Sequence, residues 1–170
     1  MVKYVFKPYE AVYKELFLKE KGRLGKVLGE KIQIEHVGST AVPGLGGKGI
    51  IDIAIGANKE KFNYISGILE ESGYEFRPNA GTEKRLFFQT KRKDRSGKER
   101  TYHIHLADIK GEEWKKMIAF RDYLRVHPKN VNEYANAKRK AAKESNQDKE
   151  TYMRIKEPVI ARILDRALKI

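Results

Sequence analysis

The stretch from His36 to Ile53 concentrates the residues of this chain that could do chemistry: His36-Val-Gly-Ser-Thr-Ala-Val-Pro-Gly-Leu-Gly-Gly-Lys-Gly-Ile-Ile-Asp52-Ile. Five of the 14 glycines fall between Gly38 and Gly49. Glycines spaced so closely let backbone N–H groups approach a ligand, and clustered N–H groups bind phosphate. Gly38, Ser39 and Thr40 follow an apolar run, where a phosphate-binding turn belongs, and Lys48 lies ten positions downstream of Gly38. No Gly-Lys-Ser/Thr closes the loop, so it is not a Walker loop, and it is not a dinucleotide fingerprint. The other reading of the segment is a structural turn at Pro43-Gly44.

Asp52 sits inside Ile-Ile-Asp-Ile-Ala-Ile. A carboxylate there is costly unless it meets a cation, a metal or backbone donors. A divalent ion such as Mg²⁺ or Mn²⁺ is one partner; Lys48 or an arginine is the other. His103 and His105 lie two apart, hence on one face of a strand, and neutral imidazoles serve as metal ligands or general bases. Two such histidines with Asp52 make a candidate divalent site, while half-buried, hydrogen-bonded histidines are the alternative. Arg121 and Arg125, four apart on one helix side, could grip phosphates or pair with Asp122. Residues 91–100 carry six basic side chains in ten and read as a solvated hairpin tip, with nucleic-acid contact the minority reading because no aromatics interleave them.

These residues need elements to hold them. Apolar spacing predicts a helix over 8–28, with Pro8 in its first turn. Strands are predicted over 31–37 and 50–56; in the second, Ile51, Ile53 and Ile55 face one way and Asp52 and Ala54 the other. A helix beginning near Phe62 and ending near Gly73 precedes a short strand at 74–77. A hairpin follows over 85–91 and 100–107. From Gly111 the pattern is helical in three segments: 111–128, 130–143 and 149–170, with Pro158 expected to kink or restart the last.

Length bounds the chain of 170 residues to one domain, at most with a helical extension. The division expected is an αβ core over 1–110 and a helical segment over 111–170 packed on it. The formal charge of +13, from 36 Lys and Arg against 23 Asp and Glu, favours anionic partners: nucleotides, nucleic acid or acidic lipid; with the glycine-rich loop, the expected ligand is a nucleotide or another phosphorylated small molecule. There is no cysteine, which removes disulfides and thiolate metal sites. No apolar run nears the roughly 20 residues of a membrane span, and residues 1–7 lack the apolar region of a leader, so the expected location is the cytoplasm.

Taken together the motifs resemble the GrpB family of the nucleotidyltransferase superfamily. The carriers are His36-Val-Gly-Ser-Thr-Ala-Val-Pro-Gly-Leu, Ile50-Ile-Asp-Ile and His103-Ile-His105-Leu. Phe120-Arg-Asp-Tyr-Leu-Arg125, Tyr134 with Lys138, and Tyr152 with Lys156 resemble its C-terminal helical motif. The resemblance implies an α+β fold: a nucleotidyltransferase-like mixed sheet flanked by helices, with further helices at the C-terminus. The residues expected to contact phosphate are Gly38, Ser39, Thr40, Lys48, Arg121 and Lys138; those expected to hold a divalent ion are Asp52 with His103 or His105, and Asp52 is the expected catalytic residue if the chain is an enzyme. The resemblance also implies a relation to a domain fused in some bacteria to dephospho-CoA kinase. One position departs. Nucleotidyltransferases place two carboxylates as Asp-x-Asp or Asp-x-Glu, and here the second is Ala54. Three functions stay open on the sequence: nucleotidyl transfer, non-catalytic binding of nucleotide, RNA or protein, and metal-dependent phosphate hydrolysis.

Overall fold

The computed structural model describes residues 4–170; residues 1–3, part of the stretch read for a leader, lie outside the described residues. The elements are α1 (Val12–Leu28), β1 (Gln33–Val37), β2 (Ile51–Ala57), α2 (Phe62–Glu71), β3 (Glu75–Phe76), β4 (Arg85–Lys93), β5 (Glu99–Asp108), α3 (Glu112–Arg125), α4 (Pro128–Glu144) and α5 (Lys149–Leu168). The strands form one mixed sheet in the order β1-β2-β5-β4-β3. Only the β2–β5 pair is parallel, joined through the β3–β4 segment; the other pairs are antiparallel. The fold is α+β, as the element pattern predicts.

Alternation in β2 and β5 divides the sheet into two faces. Ile51, Ile53 and Ile55 stand in register with Tyr102, Ile104 and Leu106. This face is buried by Leu16, Phe17 and Leu24 of α1 and by Phe62, Ile65 and Leu69 of α2. Each of the three isoleucines is fully buried, which contributes about 2 kcal/mol apiece relative to exposure. The opposite face carries Asp52, Ala54, His103 and His105. Helices α3, α4 and α5 build a second core with the loop before β2: Val42 and Leu45 pack with Leu124, Val131, Tyr134 and Ile163. That loop is thereby fixed between sheet and C-terminal helices.

Three local features differ from the sequence expectation. Helix α1 begins at Val12, and Pro8 precedes it. The preceding residues are committed elsewhere: Lys7 and Gly47 exchange two backbone hydrogen bonds, and Glu10 accepts from Arg100 and Tyr13. Pro128 opens α4 at its first turn, where a missing N–H costs nothing. Pro158 neither ends nor restarts α5, which runs unbroken. Both Pro158 and Arg154, whose carbonyl the proline leaves without its helical donor, are exposed, so solvent can satisfy it.

The basic hairpin is only partly solvated. Asp94 accepts from the Ser96 hydroxyl, from Arg100 and from the backbone N–H groups of Lys98 and Ser96, an arrangement that holds its carboxyl well below the usual range. Arg100 is buried and also reaches Glu10; Arg92 donates to the buried Glu20. Tyr74 donates to Glu20 as well. Deleting this carboxylate in Glu20→Ala strands a buried phenol and a guanidinium. The expected loss is on the order of 3 kcal/mol, measured as a fall in the denaturation midpoint at unchanged m-value. Among the described residues no helix is long and apolar enough to cross a membrane.

Candidate functional site

Strand β1 ends at Val37, paired with Asp52 across the β1–β2 ladder. The next residue, Gly38, turns the chain with φ 75° into a short 3-10 turn, Ser39–Ala41. The position accepts only glycine for two reasons. The dihedral is left-handed, and a Cβ would lie 2.5 Å from the Asp52 Oδ2 oxygen. The turn therefore rests directly on the carboxylate. Its own hydrogen bonds begin with the Ala41 N–H to the Gly38 carbonyl, which leaves the Ser39 and Thr40 amides at its open end.

Parallel pairing of β2 with β5 sets Asp52 level with His103 and Ala54 level with His105. His105 Nε2 donates to Asp52 Oδ1 at 3.0 Å, and His103 Nδ1 lies 3.7 Å from the same oxygen. Burial pushes the Asp52 carboxyl up, but the His105 hydrogen bond and the positive groups around it prevail and hold it below its ordinary range. Burial lowers the His103 imidazole, against the pull of Asp52. Phe87 presents its ring edge-on to both imidazoles and closes one side of the group.

The far side of the turn is a lysine cluster. A Cβ on Gly47 would meet the Ser39 hydroxyl at 2.8 Å and Lys138 Nζ at 3.0 Å, so these three groups share one small space. Lys138 is buried, donates to the Gly46 carbonyl at 3.3 Å and stands over the Tyr134 ring at 4.4 Å. Among the described residues it pairs with no carboxylate. Burial, with Lys156 and Lys48 nearby, pushes its ammonium down to about 7, with Asp52 pulling the other way. Lys48 and Lys156 both stand over the Tyr152 ring, which stacks on Tyr4.

The structure thus brings together Gly38, Ser39, Asp52, His103 and His105, with Lys138 beyond Ser39 at Gly47 and Lys48 in the adjoining tyrosine–lysine group. It turns Thr40 and Arg121 elsewhere. The buried Thr40 hydroxyl donates to the Ile50 carbonyl and accepts from His36 Nε2, which fixes the ring tautomer; the imidazole stacks on Phe17 and burial drives it down to about 4. Arg121 is buried against Glu35 at 2.7 Å, the His36 carbonyl and Asp122, so its guanidinium ties α3 to β1. Sequence reasoning passed over Tyr152, Lys156 and Tyr4 as site residues. The signal for the first two was present: Tyr-x-x-x-Lys occurs at 134–138 and again at 152–156, and a spacing of four stacks ring and ammonium on one helix face.

Asp52 and the two histidines offer donors of the kinds that bind divalent ions. Yet no three acidic or imidazole side chains among the described residues are disposed to hold a metal by themselves. The set fits an ion only if ligand oxygens, such as those of a phosphate, complete its shell.

Residues 3–166 match the family model described as GrpB protein. A UPF0157 protein of Pseudomonas aeruginosa is 42% identical over 140 residues, covering 79% of this chain and 55% of that relative's length. The glutamate-rich protein GrpB of Alkalihalophilus pseudofirmus is 33% identical over 158 residues, covering 90% of this chain and 89% of the relative. The crystal structure of the conserved protein GrpB from Enterococcus faecalis superposes with a TM-score of 0.82 at 29% identity, over 97% of this chain and 98% of that one. The Cid1 poly(U) polymerase, in a MgGTP-bound crystal structure, superposes with a TM-score of 0.55 at 13% identity, over 81% of this chain and 44% of that one, a likeness of fold. Sequence and fold converge on one family across almost the whole length, and the chain belongs to the GrpB family.

Proposed function

We propose that this chain binds a nucleotide or another phosphorylated small molecule against the Gly38–Ser39 turn. One observation carries the reading. Lys138 is buried in a space shared with the Ser39 hydroxyl and Gly47, with no carboxylate among the described residues paired to it, and a buried ammonium without an anion is a ready anion site. Lys48 and Lys156 extend the positive field through the adjoining tyrosine pair. The likeness of fold to a polymerase whose structure holds MgGTP supports a nucleotide as the phosphate carrier.

In this reading the amides at the open end of the turn and the Ser39 hydroxyl donate to phosphate oxygens, and Lys138 neutralises them. Asp52, with His103 or His105, holds the Mg²⁺ or Mn²⁺ that accompanies the phosphates; the ion supplies charge neutralisation of the phosphate oxygens when bound. A nucleotidyl-transfer reaction is the catalytic form of the proposal. Ala54 favours a second form, binding without transfer, because the position carries no second carboxylate.

Calorimetry tests the binding step. A nucleoside triphosphate is expected to bind more tightly with Mn²⁺ than with EDTA. Asp52→Asn is expected to remove most of that difference. Ser39→Ala is expected to weaken binding about three- to tenfold through one lost hydrogen bond. Equal affinity with and without the ion would remove Asp52 from the reading, and no heat at millimolar nucleotide would end it.

A further inference from the structure

A cavity of about 370 Å³ lies beside Asp52, and Lys138 is not among the residues that line it. Gly38, Asp52 and His105, which also belong to the proposed phosphate and metal site, are among the residues that line it. Its walls are different in kind. Met117 and Phe120 of α3 and Ile160 and Leu164 of α5 line it with apolar surface. The volume lies at the small end of ligand pockets, and apolar walls with a few polar groups are the usual make-up of such sites.

Three charged side chains also line it: Arg85 from β4, and Glu113 and Lys116 from α3. With Asp52, which lines the same cavity, the four formal charges cancel. Arg85 Nε is buried with no hydrogen-bond partner among the described residues, and the Glu113 carboxylate stands 3.7 Å away, beyond hydrogen-bond reach. His105 Nδ1, on the same cavity, is likewise buried without a partner. Two of the four such orphaned side-chain atoms among the described residues therefore belong to this one cavity. Native interiors leave few groups unpaired, and those left call for a reason.

We propose that this cavity is a second ligand subsite, and that it takes a small organic acid: an apolar body bearing one carboxylate. The body lies on Met117, Phe120, Ile160 and Leu164, and the carboxylate accepts from the guanidinium of Arg85, with Lys116 adding its charge. The apolar walls exclude a bare inorganic anion as the preferred occupant. With the carboxylates of Asp52 and Glu113 already on the lining, a monoanion is repelled less than a phosphate dianion. The inference rests on the proposed phosphate site only in being named the second subsite; the cavity itself stands on its own residues. A phosphorylated ligand on the Lys138 side and an acid on the Met117 side would then meet at Asp52.

Two probes of one shape test this: naphthalene-2-carboxylate and the neutral 2-naphthylmethanol, titrated into the full chain and followed by amide and methyl NMR. The carboxylate is expected to saturate with shifts centred on the Met117 methyl, and to bind roughly fivefold or more tighter than the alcohol. Arg85→Gln should bring the two probes to equal affinity. Ile160→Trp and Met117→Trp, which fill the cavity from α5 and α3, should each weaken both probes about tenfold; far-UV circular dichroism checks folding, and either variant suffices if the other does not fold. Equal affinity of the two probes for the wild type, or shifts that ignore both tryptophans, would overturn the proposal. Nucleoside triphosphate is titrated in parallel. Acid binding without triphosphate binding leaves this inference standing while the phosphate reading fails. Competitive displacement of the acid by triphosphate assigns the cavity to the nucleotide's own base and ends the proposal.

Discussion

Lys138→Met will weaken nucleoside triphosphate binding by roughly 2–4 kcal/mol, about 30- to 1,000-fold, the usual cost of removing one member of a desolvated charge pair. The same substitution will not destabilise the unliganded protein near neutral pH. Lys138 is buried beside Gly47 with its ammonium pushed down to about 7, far below the roughly 10.4 of an unfolded lysine. Between those values the unfolded chain binds the proton more tightly than the native one, so the buried lysine makes stability rise with pH across this window. Below about pH 7 the penalty for burying the charge is present in full. Methionine abolishes it, so the variant's melting temperature should exceed that of the wild type at pH 6.5, with the gap closing towards pH 10. A bound phosphate restores the charge. Calorimetry in buffers of different ionisation heat should therefore show proton uptake on triphosphate binding at pH 8 and much less at pH 6. Absence of uptake at pH 8 would show that Lys138 does not face the phosphates.

Ala54→Asp is the second large effect. Ala54 is fully buried, opposite Glu35 on β1 and level with His105 on β5. An aspartate there places a new carboxylate on the face of Asp52, two residues away, and across from a like charge. Without metal the expected loss is about 3 kcal/mol or more, the scale of a buried charge without a partner. Mn²⁺ should recover much of it, since an ion bound only by the native state at a hundredfold excess over its dissociation constant returns about 2.7 kcal/mol. Melting curves with Mn²⁺ and with EDTA check this. A variant as unstable with Mn²⁺ as without it would place position 54 outside the reach of any ion at Asp52.

The sheet was legible because period-two patterning is a strong signal. Ile51, Ile53 and Ile55 against Asp52 and Ala54, and Tyr102, Ile104 and Leu106 against His103 and His105, define the two faces without coordinates, and the observed register sets one strand on the other accordingly. The nearness of Asp52 to the imidazoles follows from that parity. Other roles depended on geometry that spacing does not carry. Thr40 is adjacent to Ser39, yet the 3-10 turn rotates its hydroxyl inward to Ile50 and His36. Arg121 looks free for a ligand until Glu35, 86 positions earlier, is brought to it by the sheet. The start of α1 was misread because helix propensity is local, whereas Lys7 and Glu10 are held by Gly47 and Arg100. Tyr4 was invisible as a site residue for the same reason: its partner ring, Tyr152, lies near the other end of the chain.

The two-bond link between Lys7 and Gly47 has a companion. Tyr4 N–H donates to the Gln147 side chain at 2.8 Å, and the Gln147 amide returns a bond to the Tyr4 carbonyl at 3.0 Å. Residues 4–7 are thus stitched both to the glycine-rich loop and to the turn between α4 and α5. These contacts span separations of up to 143 positions, the slowest kind to form. On the ribosome, the strands, α1 and α2 can complete their ladder and their shared core well before Gln147 and Tyr152 emerge, while the strap that braces Gly47 cannot. The order of synthesis therefore makes the corner around Gly47 and Lys138 the last part of the molecule to set.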